Sequence, residues 1–298
     1  MKVAFIGMGS MGAAIVPRLV GAGHEVHAWN RSSAAVECLA GVGLLDSPVR
    51  AFAEHEVVIT MLSDDQAVRE VILESGALAA ARPGVVHMVM STISPRFVEQ
   101  LQAPHAAAGV HYLAATVFGI PAVAARGELN ILAAGSADAL DKVAPLLAVM
   151  SKKIWPLGEQ PAHANIAKIA GNLMITQAIE SMAEASALVE SHGLAPAAFL
   201  DVVTHTMFAC SSYQRYAGNI CGDSYEPGFK LSLGLKDVRL ALDAAAVHGA
   251  SLPSAAIVRT HMETAVREGK GDRDWSILAL AARDAALEKH LSDRSSPG

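Results

Sequence analysis

Cysteine is scarce and scattered. The chain has three, Cys38, Cys210 and Cys221, an odd and widely spaced set that excludes a disulfide framework and fits a reducing cytoplasm. They are expected to be small buried hydrophobes with no chemistry. Charged residues make up only 17% of the 298, with a formal net charge of −6. No basic stripe is present, which excludes nucleic acid as the main partner. No apolar run reaches the ~18 residues of a membrane span, and no basic amphipathic helix suggests a role at a membrane surface. Met1-Lys2 leads straight into a strand, with no signal-peptide core or cleavage site, so a cytoplasmic protein is expected. The twelve histidines form no His-x-x-x-His pattern and there is no Cys-x-x-Cys, so no metal site is expected. What the chain does have is apolar bulk, 52% of residues. That suffices for a large core in one large domain or two ordinary ones.

The first thirty residues read strand, glycine loop, helix, strand. Lys2-Val-Ala-Phe-Ile6 runs into Gly7-Met8-Gly9-Ser10-Met11-Gly12, a helix follows over about 10–20, and Glu25-Val-His-Ala-Trp29 is the next strand. In that setting Gly-x-Gly-x-x-Gly is a dinucleotide fingerprint. Gly7 makes the tight turn, Gly9 lets the backbone approach a pyrophosphate, and Gly12 lets helix and strand pack closely. The helix N-terminus faces the phosphates. Pro17 falls inside this helix, where it removes a hydrogen bond and is expected to kink it. NAD-specific sites place a carboxylate at the end of the second strand. Here Asn30, Arg31 and Ser32 suit a 2′-phosphate instead, since guanidinium and hydroxyl bind what a carboxylate would repel. NADP(H) is the expected cofactor.

Strand and helix go on alternating. Strands are expected over 57–62 and 85–90, from 112 and up to 135, and near 153–156, with helices between them. Ligands sit at the carboxyl ends of such strands. Met61, Leu62 and Ser63, and Ser91 with Thr92, are therefore placed to line the cofactor, while Ser63 and Ser94 also suit helix N-caps. Beyond Gly158 no strand pattern recurs, and helices are expected over 163–192, 196–209, 211–222, 231–249, 254–269 and 274–291, with a frayed tail over 292–298. The expected architecture is an α/β Rossmann domain with a mostly parallel, doubly wound sheet (1–162) plus an all-α domain (163–298), joined by a long helix. On that helix Lys168 and Asn172 share a face that is otherwise small and apolar. The lysine either snorkels to water or acts as a general acid.

Several motifs in order resemble the β-hydroxyacid dehydrogenases, the family of 3-hydroxyisobutyrate dehydrogenase and tartronate semialdehyde reductase, with imine reductases as relatives. They are Gly7-x-Gly9-x-x-Gly12, Ser91-Thr-Ile-Ser-Pro95, Lys168-x-x-x-Asn172 and Phe229-Lys-Leu-Ser-Leu-Gly-Leu-Lys-Asp237. The resemblance covers nearly the whole chain. It implies Lys168 as catalytic acid/base with Asn172 as its partner, Lys236 near the cofactor, Ser91 and Asp237 on the substrate side, and a homodimer formed through the helical domain. The substrate segment departs from the family's Asp-Ala-Pro-Val-Ser-Gly-Gly. Here it is Ala114-Ala-Thr-Val-Phe-Gly-Ile120, with Phe118 in place of the serine and Gly119 retained. An aromatic offers a carboxylate no hydrogen bond, and leaving an anion unpaired in a dry pocket is costly. The alternative is that Phe118 turns to the core and backbone N–H groups bind the carboxylate.

The expected function is an NADPH-dependent reductase of a small carbonyl compound, with an imine reductase as the alternative and a non-catalytic dinucleotide-binding protein as a further one. Tyr213 and Tyr216 suit either the pocket or packing, Trp275 a roof or a helix cap, and His163 a helix start.

Overall fold

The computed structural model describes residues 1–280. It divides into two compact units, Met1–Lys168 and the chain from Ile169 onward. In the first unit the elements run β1 (Lys2–Ile6), α1 (Ser10–Gly21), β2 (Glu25–Trp29), α2 (Ala34–Glu37), β3 (Val42–Leu44), α3 (Pro48–Glu54), β4 (Val57–Thr60) and α4 (Asp65–Val68). They continue with β5 (Val86–Val89), α5 (Pro95–Ala107), β6 (His111–Phe118), α6 (Pro121–Ala125), β7 (Leu129–Gly135), α7 (Ala137–Met150) and β8 (Ser151–Pro156). α8 (Ala162–Ser191) begins here and runs on into the second unit, where α9 (Pro196–His205), α10 (Ser211–Cys221), α11 (Leu231–Val247) and α12 (Pro253–Ala265) follow.

The eight strands form one sheet in the order β3-β2-β1-β4-β5-β6-β7-β8. All neighbours pair in parallel except β6 and β7, which are antiparallel, with Leu113 opposite Gly135 and Phe118 opposite Asn130. Residues two apart line one face of a strand, so Val3 and Phe5 join a core with Ile15, Leu19 and Ile59. Ala4 and Ile6 join the opposite core with Phe52, Val89 and Phe97. A sheet buried on both faces favours near-continuous apolar runs, as in Val57–Ile59, and Thr60 at the end of the same buried strand is paired with His87. The second unit has its own core, built on Ile179, Leu200, Tyr216, Leu231, Val238, Met262 and Trp275.

The architecture matches the expected one, with local differences. β3 and α3 were not anticipated. α1 continues through Pro17 to Gly21. The strand expected over 57–62 ends at Thr60; the Met61 N–H still donates to the Ile6 carbonyl at 2.8 Å, but the Leu62 N–H is taken by the Ser91 hydroxyl, and the helix that follows loosens into a π-helical turn over Arg69–Glu74. α9 stops at His205, and α12 gives way to a second π-helical turn, Val266–Lys270. A 3₁₀ turn occupies Trp275–Ile277 and residues 278–280 after it are helical; the remainder of the helix expected over 274–291, from 281 onward, and the tail lie outside the described residues. The cysteines are a correction: all three are exposed. Each sits at or beside a helix end, where the chain turns back over the surface. Among the described residues, no helix is long and apolar enough to cross a membrane.

Candidate active site

The loop after β1 is shaped by its glycines, each in a different way. Gly7 has φ +102°, and a Cβ there would lie 2.2 Å from the Met61 carbonyl oxygen. At Gly12 a Cβ would lie 2.2 Å from the Gly7 carbonyl oxygen. Gly9 differs, because a Cβ there would meet nothing within 4 Å. The protein crowds Gly7 and Gly12, whereas Gly9 borders open space. α1 starts at this point with no side-chain cap and no acidic residue in its first turn. Its leading N–H groups and positive dipole end therefore suit an anion. Of the residues between the glycines, Met8 is buried in the core, whereas Ser10 is exposed and Met11 partly so. The residues present fit a dinucleotide pyrophosphate.

Asn30, at the end of β2, holds this loop. Its Oδ1 accepts from the Met8 N–H at 3.0 Å, and its Nδ2 donates to the Ser32 carbonyl at 3.2 Å. Arg31 projects outward, its side chain 82% exposed, with Nη2 4.0 Å from Glu70 Oε2. Glu70 is steadied on its other oxygen by Gln66 Nε2 at 2.8 Å. A carboxylate on the π-helical turn thus faces the guanidinium expected to bind a 2′-phosphate.

The ends of β4 and β5 are laced together. Ser91 Oγ accepts from the Leu62 N–H at 2.7 Å and donates to the Thr60 carbonyl at 3.5 Å. Ser91 is 2% exposed, so its hydroxyl is engaged within the protein, while Thr92 beside it is partly exposed. Ser63 is not the N-cap of α4. Asp64 is, accepting from the Ala67 N–H at 2.8 Å, and Ser63 donates to Asp64 in turn. Asp64 has the extended backbone of a cap residue (φ −162°, ψ 178°), which puts its carboxylate over the first turn. Ser94 caps α5, accepting from the Phe97 N–H at 3.1 Å, and is itself bonded to Asp65.

α8 is tied to the sheet at its first turn. Thr116 Oγ1, inside β6, donates to the Ala164 carbonyl at 2.9 Å. Asn165 Nδ2 donates to the Ser91 and Ile93 carbonyls at 3.3 and 3.1 Å. Three residues on, Lys168 is only 8% exposed, and its ammonium lies 4.6 Å from the centre of the Phe118 ring. A desolvated cation on an aromatic face is held by ~2 kcal/mol. Phe118 also packs on the core shared by Ile93 and Leu132. Gly119 follows with φ +144°, where a Cβ would lie 2.6 Å from Leu129 Cδ2. His163 is an exposed first-turn residue bonded to the Leu157 carbonyl.

In the second unit, Asn172 lies one turn beyond Lys168 on α8. Its Nδ2 donates to Asp237 Oδ2 at 2.5 Å. Asp237 is 2% exposed, and its Oδ1 stands 3.0 Å from Lys236 Nζ. The Lys236-Asp237 pair is thus joined to the Lys168 helix through an amide, on a largely buried face of α11 instead of a solvent-facing one. Tyr216 is buried edge-to-face on Trp275, and burial pushes its hydroxyl up to about 12. Tyr213 stacks on Phe208. Trp275 is 2% exposed against Phe229 and Tyr216, so it packs the core of its unit. Sequence reasoning missed Asn165, visible only as a polar residue at helix position i−3 from the lysine. It also missed Asp274, a fully buried carboxylate that accepts from the Gly228, Phe229 and Ser276 N–H groups ahead of and behind α11.

Two family models cover the chain. Residues 2–158 match the NAD-binding domain of 6-phosphogluconate dehydrogenase, and residues 162–281 match the NAD-binding domain of NADP-dependent 3-hydroxyisobutyrate dehydrogenase. An uncharacterised oxidoreductase, YfjR of Bacillus subtilis, is 39% identical over 282 residues, 93% of this chain and 98% of that one. The structure of Mycobacterium tuberculosis 3-hydroxyisobutyrate dehydrogenase with L-serine is 30% identical, with a TM-score of 0.86 over 95% of this chain and 99% of that one. A Streptomyces aurantiacus imine reductase shares the fold, at 23% identity and a TM-score of 0.64 over 93% of this chain and 98% of that one.

Proposed function

The chain belongs to the β-hydroxyacid dehydrogenase family of oxidoreductases acting on CH–OH groups, and on that premise we propose that it is an NADPH-dependent reductase of a small carbonyl compound with Lys168 as its general acid. The observation that carries the reading is Lys168 itself, an ammonium 8% exposed on a helix anchored to the loop of Ser91 and Ile93. A lysine that only snorkelled to water would not need that anchoring or that burial.

When bound, NADPH supplies the hydride. Hydride addition places negative charge on the substrate oxygen. Lys168 would stabilise that charge and donate its proton; in oxidation the neutral amine would take the alcohol's proton. Asn172, which does not titrate, orients the substrate oxygen or the lysine, and its bond to Asp237 fixes its own amide. Met8, Ser10, Met11, Met61, Leu62, Ser63 and Thr92 line the cofactor beside the glycines. The family resemblance assigns Lys236 to the cofactor, and Ser91, Phe118, Gly119 and Asp237 to the substrate. Arg31 with Asn30 and Ser32 selects the 2′-phosphate.

Residues 1–162 act as the cofactor domain and 163–298 as the substrate and dimerisation domain of a cytoplasmic homodimer. The dimer reading is supported by Met174 and Leu188, 71% and 62% exposed on α8, which a partner copy would cover.

The Phe118 ring beside Lys168 favours a second reading, reduction of an apolar ketone or imine, because it puts an apolar wall where a carboxylate would need donors. The experiment is NADPH oxidation measured side by side with succinic semialdehyde, glyoxylate, hydrophobic ketones and cyclic imines. Turnover of any carbonyl or imine supports the reductase. A carboxylated preference selects the first reading and an apolar one the second, and no turnover of any class refutes both.

A further inference from the structure

The geometry points to Asn165 as the residue that positions Lys168, an inference that rests on the reading of Lys168 as proton donor. Asn165 is fully buried. Its Nδ2 faces two carbonyl oxygens, those of Ser91 and Ile93. Only the NH₂ end of an amide can do that, so the orientation of the side chain is settled by chemistry. Its Oδ1 is buried and accepts no hydrogen bond among the described residues. Buried polar atoms are nearly always paired, and one that is not calls for an explanation other than stability. The amide is kept for what its donor end does.

What it does is span a gap. Ser91 and Ile93 flank Thr92 on the loop where β5 ends, the end of the sheet at which a dinucleotide is expected. Lys168 lies three residues after Asn165 on the same side of α8, a rise of about 4.5 Å. The Thr116 hydroxyl makes the neighbouring tie, from β6 to the Ala164 carbonyl, and β6 ends in Phe118, whose ring holds the ammonium. The first turn of α8 is thus pinned to the ends of β5 and β6. The Asn165 bonds set how far the ammonium stands from the Thr92 loop. Without them the helix start keeps the Thr116 bond but is free to slide or roll on the sheet, carrying Lys168 away from the reacting atoms.

The test uses full-length Asn165→Ala with three readouts: NADPH affinity by fluorescence titration, backbone hydrogen exchange of the NADPH complex, and NADPH turnover with succinic semialdehyde, glyoxylate and 1-pyrroline. A misplacement of about 1 Å lowers rates by up to about a hundredfold. The expected result is therefore turnover reduced at least tenfold on every probe the wild type uses. NADPH affinity should stay within about twofold, because no phosphate contact is removed. Exchange over 165–169 should quicken about tenfold or more, as expected for a loosened helix end, and the deuteride isotope effect on kcat should rise. Asn165→Gln, which keeps the donor on a longer arm, should recover part of the rate; it also serves if the alanine variant does not fold.

Undiminished turnover in a folded variant whose helix exchanges faster would overturn the inference. So would a loss of turnover matched by an equal loss of NADPH affinity. Lys168→Ala, run in parallel, separates the two levels: if it keeps full turnover, the reading of Lys168 has failed, whatever Asn165 does to the helix.

Discussion

The ammonium of Lys168 lies 4.6 Å from the centre of the Phe118 ring, so the group expected to deliver the proton rests on an aromatic face where the family's segment carries a hydroxyl. This contact stabilises the charged lysine and removes a hydrogen-bond donor from the same wall. Phe118→Ser should reverse the second effect. A hydroxyl bonded to a charged group contributes about 1.5–3 kcal/mol, so kcat/KM for glyoxylate relative to a hydrophobic ketone should rise roughly tenfold or more. An unchanged ratio would mean that Phe118 does not border the substrate.

Arg31 and Glu70 make opposing predictions. Arg31→Ala removes charge-assisted bonds to a 2′-phosphate and should raise the Michaelis constant for NADPH about 10- to 100-fold while leaving NADH nearly unaffected. Glu70→Gln removes the carboxylate that faces Arg31. Because that pair is exposed and weak, it should lower the NADPH value by only roughly two- to fivefold. Equal effects on both cofactors would rule out 2′-phosphate recognition by Arg31.

The glycine loop separates stability from binding. Gly7→Ala forces a side chain into φ +102° and against the Met61 carbonyl, and should destabilise the protein by about 1–3 kcal/mol. Gly9→Ala meets no protein atom, so its melting temperature should stay within a few degrees while NADPH affinity falls at least about tenfold. Calorimetry and a binding titration on both variants decide it. Full NADPH affinity in Gly9→Ala would show that the open space is not where the pyrophosphate lies.

A buried chain of polar groups sets acid sensitivity. His105 Nδ1 must donate to the Leu101 carbonyl, so with both rings neutral His87 donates to His105 and Thr60 donates to His87. Burial lowers His105 to about 4 and holds His87 well below 6.5. The unfolded chain therefore takes up protons that the folded one refuses. Stability is full above about 6.5 and falls as pH drops toward 4, by up to about 1.4 kcal/mol per unit for each ring. Urea midpoints at pH 7 and pH 5 should differ accordingly, and His105→Leu should shrink the difference. Equal midpoints in the wild type would contradict it.

Much of the fold was legible because its signals are local and periodic. Buried runs such as Val57–Thr60, glycines at fixed offsets and the long polar-poor helix each stand out within a short window. β3 has three residues and α3 seven, too few for a period to emerge. The Ser63 cap was misread because Asp64 next to it is an equally good capping residue, and only the backbone angles choose between them. The crowding in the glycine loop could be read from the motif at Gly7 and Gly12, where a Cβ would strike the carbonyls of Met61 and Gly7. Asn165 could not, because its role depends on where carbonyls 74 and 72 residues away are brought. The burial of Ser91 and the pairing of Asp237 with Asn172 are likewise long-range facts.

The central claim is that Lys168 supplies the proton, and the most direct measurement is single-turnover hydride transfer in Lys168→Ala preloaded with NADPH, beside a titration of its NADPH affinity. The account predicts affinity within about twofold of wild type and a transfer rate lower by about 10²- to 10⁴-fold, the usual range for losing a positioned general acid. A transfer rate equal to wild type at equal affinity would contradict it.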